Sequence, residues 1–317
     1  MKSSQSVIMF VKMEKILITG SNGLLGQKLI DCILANNSYQ LIASSKGKNR
    51  HPIQQGYIYA EMDITNESQI NAVISQHNPN IIIHTAALTN VDTCHIQQNL
   101  CWQMNVTAVS YLIKVCEINS IRLIHLSTDF IFDGQNGPYT EDAPPNPLSY
   151  YGQSKWAAEQ LIMQANIKWA ILRTILVYGV VRDLSRSNIV LWAKNALQKG
   201  ETINVINDQY RTPTLAEDLA DICLLAAQKQ AQGVYNASGT DMMSILDLVL
   251  AVADFYNLDK DLINPISSAS LNQAAIRPLK TGFILQKSIK DLGYNPHSFS
   301  QGLKIMDDQL KQIEAVG

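Results

Sequence analysis

The strongest constraint on the fold is a regular alternation of short apolar runs with segments in which apolar residues recur at helical spacing. The runs typical of strands are residues 16–19, 41–43, 57–59, 80–84, 123–126 and 170–173. Between them, apolar residues follow the spacing of amphipathic helices, for example over 24–34 and 100–116. Strands that are apolar throughout are buried on both faces, which predicts a parallel sheet covered by helices on each side. The predicted fold class is therefore α/β, a doubly wound, Rossmann-like parallel sheet with all strand carboxyl ends along one edge.

The second half of the chain is less regular. Helical spacing returns near residues 187–198, 215–228, 244–256 and 302–313, and prolines interrupt between these segments. We expect a sheet domain over residues 14–178, with part of 203–240 returning to the sheet, and a smaller mixed C-terminal lobe mainly over 179–317. Residues 1–13 contain an apolar run of only five, shorter than the core of about 7–15 residues in a signal peptide. We expect them to form a flexible extension.

Bulk composition argues against several classes of protein. The formal net charge is −2 and no dense block of basic residues occurs, so a nucleic-acid partner is not expected. No stretch approaches the roughly 20 apolar residues of a membrane span, so no membrane association is expected. The five cysteines are odd in number and form no CxxC pair, which favours reduced thiols in a cytoplasmic protein and offers no metal-site spacing.

A glycine-rich turn follows the first predicted strand and opens the first predicted helix. Residues 20–26 have the sequence GSNGLLG, in which the glycines permit a tight turn, a close approach of pyrophosphate and close packing of helix on strand. The helix N-terminus adds free N–H groups and a positive dipole. The turn therefore predicts a dinucleotide site, with contacts from Gly20, Asn22, Gly23, Leu24, Leu25 and Gly26. The sheet domain is expected to bind NAD(P) and the C-terminal lobe to bind the substrate.

The end of the second strand indicates which dinucleotide is bound. In NAD-binding proteins an acidic residue about 20 residues after the glycine turn contacts the ribose hydroxyls. Residues 44–50 here are SSKGKNR, with hydroxyls and cations but no carboxylate. We therefore predict that Ser44, Ser45 and Lys46 contact a 2′-phosphate, with NADP(H) preferred and NAD(H) as the alternative cofactor. The other interpretation is that Lys46, Lys48 and Arg50 belong to a solvated loop.

A tyrosine and a lysine four residues apart supply the candidate reaction chemistry. Tyr151 and Lys155 share one face of a predicted helix, because positions i and i+4 lie one turn apart. The lysine charge lowers the pKa of the tyrosine and can hold a cofactor ribose hydroxyl, while the phenol gives or takes a proton as hydride moves. Thr128, at the preceding strand end, is predicted to hydrogen-bond the substrate carbonyl and the phenol, with Ser127 as second choice. The arrangement predicts an NAD(P)-dependent oxidoreductase.

Together these elements resemble the extended short-chain dehydrogenase/reductase superfamily from about Lys15 to beyond Gly293. More narrowly, the chain resembles the dTDP-4-dehydrorhamnose reductase family. The segments that support this resemblance are 127–134, 151–155, 172–174, 177–179, 212–214, 218–220, 277–278, Lys287 and 292–293. The resemblance implies reduction of a 4-keto-6-deoxy nucleotide sugar by NAD(P)H, with Thr128, Tyr151 and Lys155 as the catalytic residues.

Further contacts around the reaction centre follow from the same comparison. The additional cofactor contacts are Asp63, Ile64, Ala86, Ala87, Thr89 and Asn105. The residues expected at the substrate are Val91, Thr128, Asp129, Phe130, Arg211 and Arg277. Proteins of this class often pair through helices, so a homodimer is an expected option. His84 and His125 lie in strands and are expected to be hydrogen-bonded core residues.

Three positions depart from the family pattern. The family often has tyrosine where Phe130 stands, tryptophan where Leu176 stands, and glycine where Arg211 stands. The first two changes remove a hydroxyl and a flat wall against the sugar. An arginine at position 211 adds a cation with a planar fork, which suits a substrate phosphate. The alternative for Arg211 and Arg277 is that they form surface ion pairs.

Two other functions remain open. An NAD-dependent sugar-nucleotide epimerase would use the same fold and keep its cofactor bound through turnover. A non-catalytic NADP-binding regulatory subunit, resembling that of methionine adenosyltransferase, would bind a partner enzyme, and residues 209–213 loosely resemble that branch. A dehydratase is disfavoured, because it would be expected to have glutamate where Phe130 follows Thr128 and Asp129.

Overall fold

The computed structural model describes residues 13–181, 187–271 and 273–316. The extension predicted over residues 1–13 lies outside the described residues, apart from Met13. The strands are, in chain order, β1 Lys15–Thr19, β2 Gln40–Ser45, β3 Ile58–Glu61, β4 Ile81–His84, β5 Arg122–Thr128, β6 Trp169–Thr174, β7 Val177–Tyr178, β8 Ile203–Ile206, β9 Tyr210–Arg211, β10 Thr214–Leu215, β11 Gly233–Ala237, β12 Met243–Ser244 and β13 Ile263–Ile266.

Helices connect and cover these strands. They are α1 Leu24–Asn36, α2 Glu67–His77, α3 Val91–Ile96, α4 Gln98–Trp102, α5 Ala108–Asn119, α6 Tyr150–Gln164, α7 Ile189–Gln198, α8 Ala216–Gln228, α9 Ile245–Phe255, α10 Gln286–Leu292 and α11 Phe299–Val316. A π-helical turn, Gln103–Thr107, joins α4 to α5. Such turns often mark functional sites in helices.

The central sheet contains seven strands in the order β11-β6-β5-β4-β1-β2-β3. Each neighbouring pair is parallel. The chain therefore begins in the middle of the sheet and winds outward in both directions, which confirms the predicted doubly wound α/β class.

Apolar side chains on both faces of the sheet explain why its strands are apolar throughout. In β1, Ile16 and Ile18 pack into a core with α1 and α8, whereas Leu17 packs into a second core with α2 and α5. All three side chains are buried. Successive strand residues point to opposite faces, so a strand covered on both sides needs apolar residues at every position.

A separate apolar core lies in the C-terminal half. Residues of α7, α9 and α11 pack there with the parallel pair β8 and β13. β11 comes after the first elements of the C-terminal half in the chain, but it pairs with β6 and so belongs to the central sheet. The domain limits stated above stay a prediction, because separate apolar cores do not fix the residue at which one domain ends.

The register of the sheet brings the candidate residues to one edge. Thr19 pairs with His84, His84 with His125, and Thr128 with Thr174. The carboxyl ends of β1, β4 and β5 therefore lie side by side. In doubly wound sheets ligands bind at this edge, where the strand order reverses.

Two other features of the described ranges bear on function. None of their helices is both long and apolar enough to cross a lipid bilayer. The same ranges contain no cluster of three or more His, Cys, Asp or Glu side chains arranged to hold a metal ion.

Candidate active site

The glycine turn forms a cradle at the end of β1. Gly20 has φ of 76°, and a Cβ there would come within 2.7 Å of the backbone nitrogen of Ala86, so only glycine fits. A Cβ at Gly26 would collide with the backbone carbonyl oxygen of Gly20. Gly23 caps α1 without a side-chain hydrogen bond and leaves the first-turn N–H groups without a side-chain cap. An uncapped helix N-terminus beside a close-packed turn fits a dinucleotide pyrophosphate.

Asn22 lies in this turn but its amide is directed at the protein. It is buried, its Nδ2 donates to the carbonyl oxygen of Lys48 at 2.9 Å, and its Oδ1 accepts from the backbone nitrogen of Arg50 at 2.9 Å. Asn22 therefore holds the loop after β2 against the glycine turn. Leu24 and Leu25, in the first turn of α1, are half-buried.

The loop after β2 places two predicted cofactor residues against each other. Lys46 Nζ lies 2.8 Å from Asp63 Oδ2, and the Lys46 side chain is 80% exposed. Desolvation raises the pKa of Asp63, but hydrogen bonds from Lys46 and Thr65 outweigh it and hold that pKa below its usual value. Ser44 and Ile64 are buried beside this pair. An exposed ammonium at the rim can turn towards a ligand phosphate, at the cost of its contact with Asp63.

The loop after β4 is fixed by Asn105. Asn105 Oδ1 accepts from the backbone nitrogen of Leu88 at 2.9 Å, and Nδ2 donates to the carbonyl oxygen of Leu88 at 3.0 Å and to Ser154 Oγ at 3.1 Å. Ala86 and Ala87 are half-buried in this loop, and Thr89 is exposed. Because its amide is fully engaged, Asn105 braces the loop onto α6 rather than reaching into the groove.

The first turn of α6 carries the candidate proton donor. Ser149 caps this helix, its Oγ accepting from the backbone nitrogen of Gly152 at 3.1 Å. The Thr128 hydroxyl at the end of β5 lies near the Tyr151 phenol and lowers its pKa, although burial outweighs this effect. The ring of Phe130 packs edge-on against Tyr151, with centroids 5.6 Å apart. The structure therefore places Thr128 and Tyr151 near each other.

Lys155 lies one turn further along α6 and is almost wholly buried. Its ammonium donates to the carbonyl oxygen of Leu126 at 2.7 Å and contacts His125 Nε2 at 3.1 Å. Burial lowers the pKa of Lys155 to about 8 and raises the pKa of Tyr151. The phenol therefore keeps its proton at neutral pH, whereas the ammonium loses its proton near pH 8.

His125 is a site residue that sequence reasoning missed. Desolvation and the neighbouring charge of Lys155 lower its pKa well below the ordinary value, so the ring is neutral and Nε2 accepts from the ammonium. Its ring stacks on His84, whose Nδ1 contacts Thr19 Oγ1 at 2.6 Å. The available signal was position, because His84 ends β4 and pairs with His125 in the middle of the neighbouring strand β5.

Asp129 and Arg211 form a buried ion pair beside Thr128. Asp129 Oδ1 accepts from Thr128 Oγ1 at 3.1 Å, and Arg211 Nε lies 3.6 Å from Asp129 Oδ2. Arg211 also donates to the carbonyl oxygens of Tyr210 and Pro278, each at 2.7 Å. Its fork is therefore turned to protein oxygens. A substrate phosphate at Arg211 would have to compete with Asp129 and these carbonyl oxygens.

Arg277 is likewise bound by the protein. Its guanidinium contacts both oxygens of Asp92, at 2.6 and 3.2 Å, and Asp92 also accepts from the backbone nitrogen of Ala275. The hydrogen bond from Arg277 lowers the pKa of Asp92. Val91, the first residue of α3, is half-buried next to this pair. The pair ties the start of α3 to the C-terminal half, so a substrate phosphate at Arg277 would have to compete with Asp92.

An uncapped helix after a glycine turn, a parallel sheet edge and a Thr–Tyr–Lys set define the extended short-chain dehydrogenase/reductase class. The sequence model of the family described as RmlD substrate binding domain matches residues 13–312. The chain belongs to this family.

Individual relatives agree with this assignment. A dTDP-4-dehydrorhamnose reductase of Aggregatibacter actinomycetemcomitans is 29% identical over 304 residues, 92% of this chain and 98% of the relative. Methionine adenosyltransferase 2 subunit beta of Xenopus laevis is 31% identical over 262 residues, 81% of this chain and 76% of the relative. The crystal structure of dTDP-4-dehydrorhamnose reductase from Bacillus anthracis str. Ames in complex with NADP has a TM-score of 0.83 and 27% identity, covering 94% of this chain and 100% of that one.

Proposed function

We propose that this protein is an NAD(P)H-dependent reductase of a 4-keto-6-deoxy nucleotide sugar. The observation that carries the proposal is the placement of Tyr151 near Thr128 at the active edge, with Lys155 one turn further along α6. Similarity to dTDP-4-dehydrorhamnose reductases over nearly the full length of both chains supports this substrate class.

The residues divide the chemistry between them. Tyr151 donates its proton to the carbonyl oxygen of the sugar, and burial keeps that phenol protonated until the oxygen becomes basic. The Lys155 ammonium stabilises the resulting phenolate, and Thr128 orients the phenol. The bound dinucleotide supplies the hydride that reduces the carbonyl carbon.

The cofactor is held by the glycine cradle, with the pyrophosphate at the N-terminus of α1. NADP(H) is preferred and NAD(H) is the alternative, because the loop after β2 offers the exposed Lys46 ammonium and no carboxylate of its own. Ser44, Ser45 and Lys46 lie around the 2′-phosphate in this proposal. The structure of the relative bound to NADP supports the same preference.

In this proposal the C-terminal lobe binds the substrate together with Val91, Asp129 and Phe130 of the sheet domain. We place the protein in the cytoplasm, on the basis of cysteines that are unpaired in the described part of the chain. Assembly as a homodimer is part of the same proposal.

The test is a panel of dTDP- and other nucleotide-linked 4-keto sugars, each followed by loss of NADPH absorbance. We expect one nucleotide sugar to be reduced and the uncharged sugar alone not to be. Absence of turnover with every nucleotide sugar, at saturating NADPH binding, would overturn the proposal.

A second candidate is a regulatory subunit, and similarity to methionine adenosyltransferase 2 subunit beta supports it. In that case the protein would bind NADP and a methionine adenosyltransferase catalytic chain. Stable co-purification with that chain, together with no turnover on the panel, would favour this function. A single turnover-competent keto sugar without co-purification would exclude it.

A further inference from the structure

The carboxylate of Asp129 is a buried charge next to the reacting phenol. Its side chain is 3% exposed, and its oxygens accept from the hydroxyls of Thr128 and Thr281. Burial raises the pKa of Asp129, and the Arg211 guanidinium and the two hydroxyls oppose that rise. The charged groups that bear on this carboxylate are Arg211 on β9 and, through Arg211, Arg277.

Arg211 is the charge partner of this carboxylate. Its side chain is also buried, and the guanidinium carbon lies 5.9 Å from the centre of the Phe130 ring. Hydrogen bonds to Tyr210, Pro278 and Leu279 carbonyls fix the guanidinium plane. The cation is therefore held within reach of Asp129 by the backbone, independently of any ligand.

The ionised carboxylate sets the direction of the hydrogen bonds at Thr128. A hydroxyl has one proton, and Thr128 donates it to Asp129 Oδ1. The Thr128 oxygen then accepts from the backbone nitrogen of Phe130 at 3.2 Å, and it lies near the phenol of Tyr151. A protonated Asp129 would itself donate, which frees the Thr128 hydroxyl to turn its proton towards Tyr151.

We propose that Arg211 and Asp129 are positioning residues for the reduction. Arg211 keeps Asp129 ionised, and the ionised Asp129 accepts the Thr128 proton and so holds the Thr128 side chain in one orientation beside Tyr151. This inference rests on the proposed function for its kinetic part, while the Arg211–Asp129 relationship can be measured without turnover.

The kinetic test is the pH profile of kcat for the full-length protein and its Arg211 variants. Activity needs ionised Asp129 and falls as pH drops through its pKa. An opposite charge within about 4–6 Å lowers a carboxyl pKa by about 1–3 units. Arg211→Met should therefore move the acid limb upward by about 1–3 pH units, whereas Arg211→Lys, which keeps the charge, should leave it near the wild-type position.

This comparison separates positioning from mere support of the fold. Lysine cannot reproduce the fork that binds two or more carbonyls, so a purely structural role would make R211K as damaging as R211M and leave the acid limb unmoved in both. That result would overturn the inference. R211Q, which keeps an amide donor, replaces R211M if thermal unfolding shows that R211M does not fold. Lys260→Met, which removes an exposed cation paired with Asp254, is the matched control.

The ionisation of Asp129 is followed directly by ¹³C NMR of aspartate-labelled protein, with its signal assigned by its loss in Asp129→Asn. We expect the Asp129 signal to titrate at higher pH in R211M than in wild type. The same titration in both would overturn the inference. The Asp129 signal could titrate at higher pH in R211M while the wild-type protein reduces no sugar. That result would support Arg211 as the group that keeps Asp129 ionised and would overturn only the proposed function.

Discussion

The Lys155 ammonium lies 3.1 Å from Nε2 of His125 while it donates to the carbonyl oxygen of Leu126 at 2.7 Å. Two of its three N–H groups are therefore directed at β5, which leaves one for the groove. The neutral imidazole thus orients the ammonium to which we assign a role in the proposed reaction. The direction of the Lys155 side chain therefore depends on His125 of β5 as well as on helix α6.

Replacing His125 by leucine should lower kcat/KM because it removes the acceptor from a buried ammonium. Loss of one partner in a buried hydrogen bond corresponds to a fall of about 5- to 150-fold. The measurement is the initial rate of NADPH oxidation as the concentration of the nucleotide sugar is varied. His125→Gln, whose amide oxygen can accept in place of Nε2, should recover most of the loss, and equal activity of all three proteins would show that His125 has no part in orienting Lys155.

Titration of Lys155 should appear as the basic limb of kcat/KM. Its folded pKa of about 8 is below the unfolded value, since burial disfavours the ammonium. The charged form that stabilises the phenolate is present below pH 8 and is lost as pH rises through that value. Lys155→Arg keeps its charge and should remove this limb from the pH profile even if its activity is lower. A limb unchanged in K155R would assign it to another group.

Lys46 should decide between the two dinucleotides. Lys46→Ala should raise the KM for NADPH about 10- to 100-fold, because it removes a charge-assisted contact to the 2′-phosphate, and leave the KM for NADH nearly unchanged. Lys114→Ala, which removes another exposed lysine paired with a carboxylate, is the control. A wild-type preference for NADH, or the same change for both cofactors in K46A, would contradict the NADP preference.

Asn105 should act on stability and on the loop that lines the cofactor groove. Asn105→Ala leaves the backbone groups of Leu88 without their partner, so the free energy of unfolding should fall by about 1–3 kcal/mol. The dissociation constant for NADPH should rise as the loop loosens. Urea unfolding and a fluorescence titration measure the two effects. Asn119→Ala, which removes an amide at the end of α5, should change neither to the same extent.

The layout of the fold could be predicted because its signal is local. A strand covered on both faces must be apolar at every position, as Ile16, Leu17 and Ile18 are. In the helices between the strands, apolar residues recur every three to four positions. The glycine cradle and the Tyr151–Lys155 spacing are also local patterns. Each depends on residues within one turn or one loop.

The pairings that surround the reaction centre could not be predicted in the same way. Arg277 meets Asp92 across 185 positions of sequence, and Thr281 meets Asp129 across 152. One sequence does not show such long-range partners. From its charge alone Arg211 can be either a phosphate ligand or part of an ion pair, and the structure places its Nε 3.6 Å from Asp129 Oδ2.

The central claim is that the Tyr151 phenol delivers the proton, and Tyr151→Phe tests it most directly. The account predicts a fall in kcat of about 100- to 10,000-fold for the keto-sugar reduction, with the dissociation constant for NADPH nearly unchanged. Turnover by Y151F within a few fold of wild type, with NADPH still bound, would contradict it.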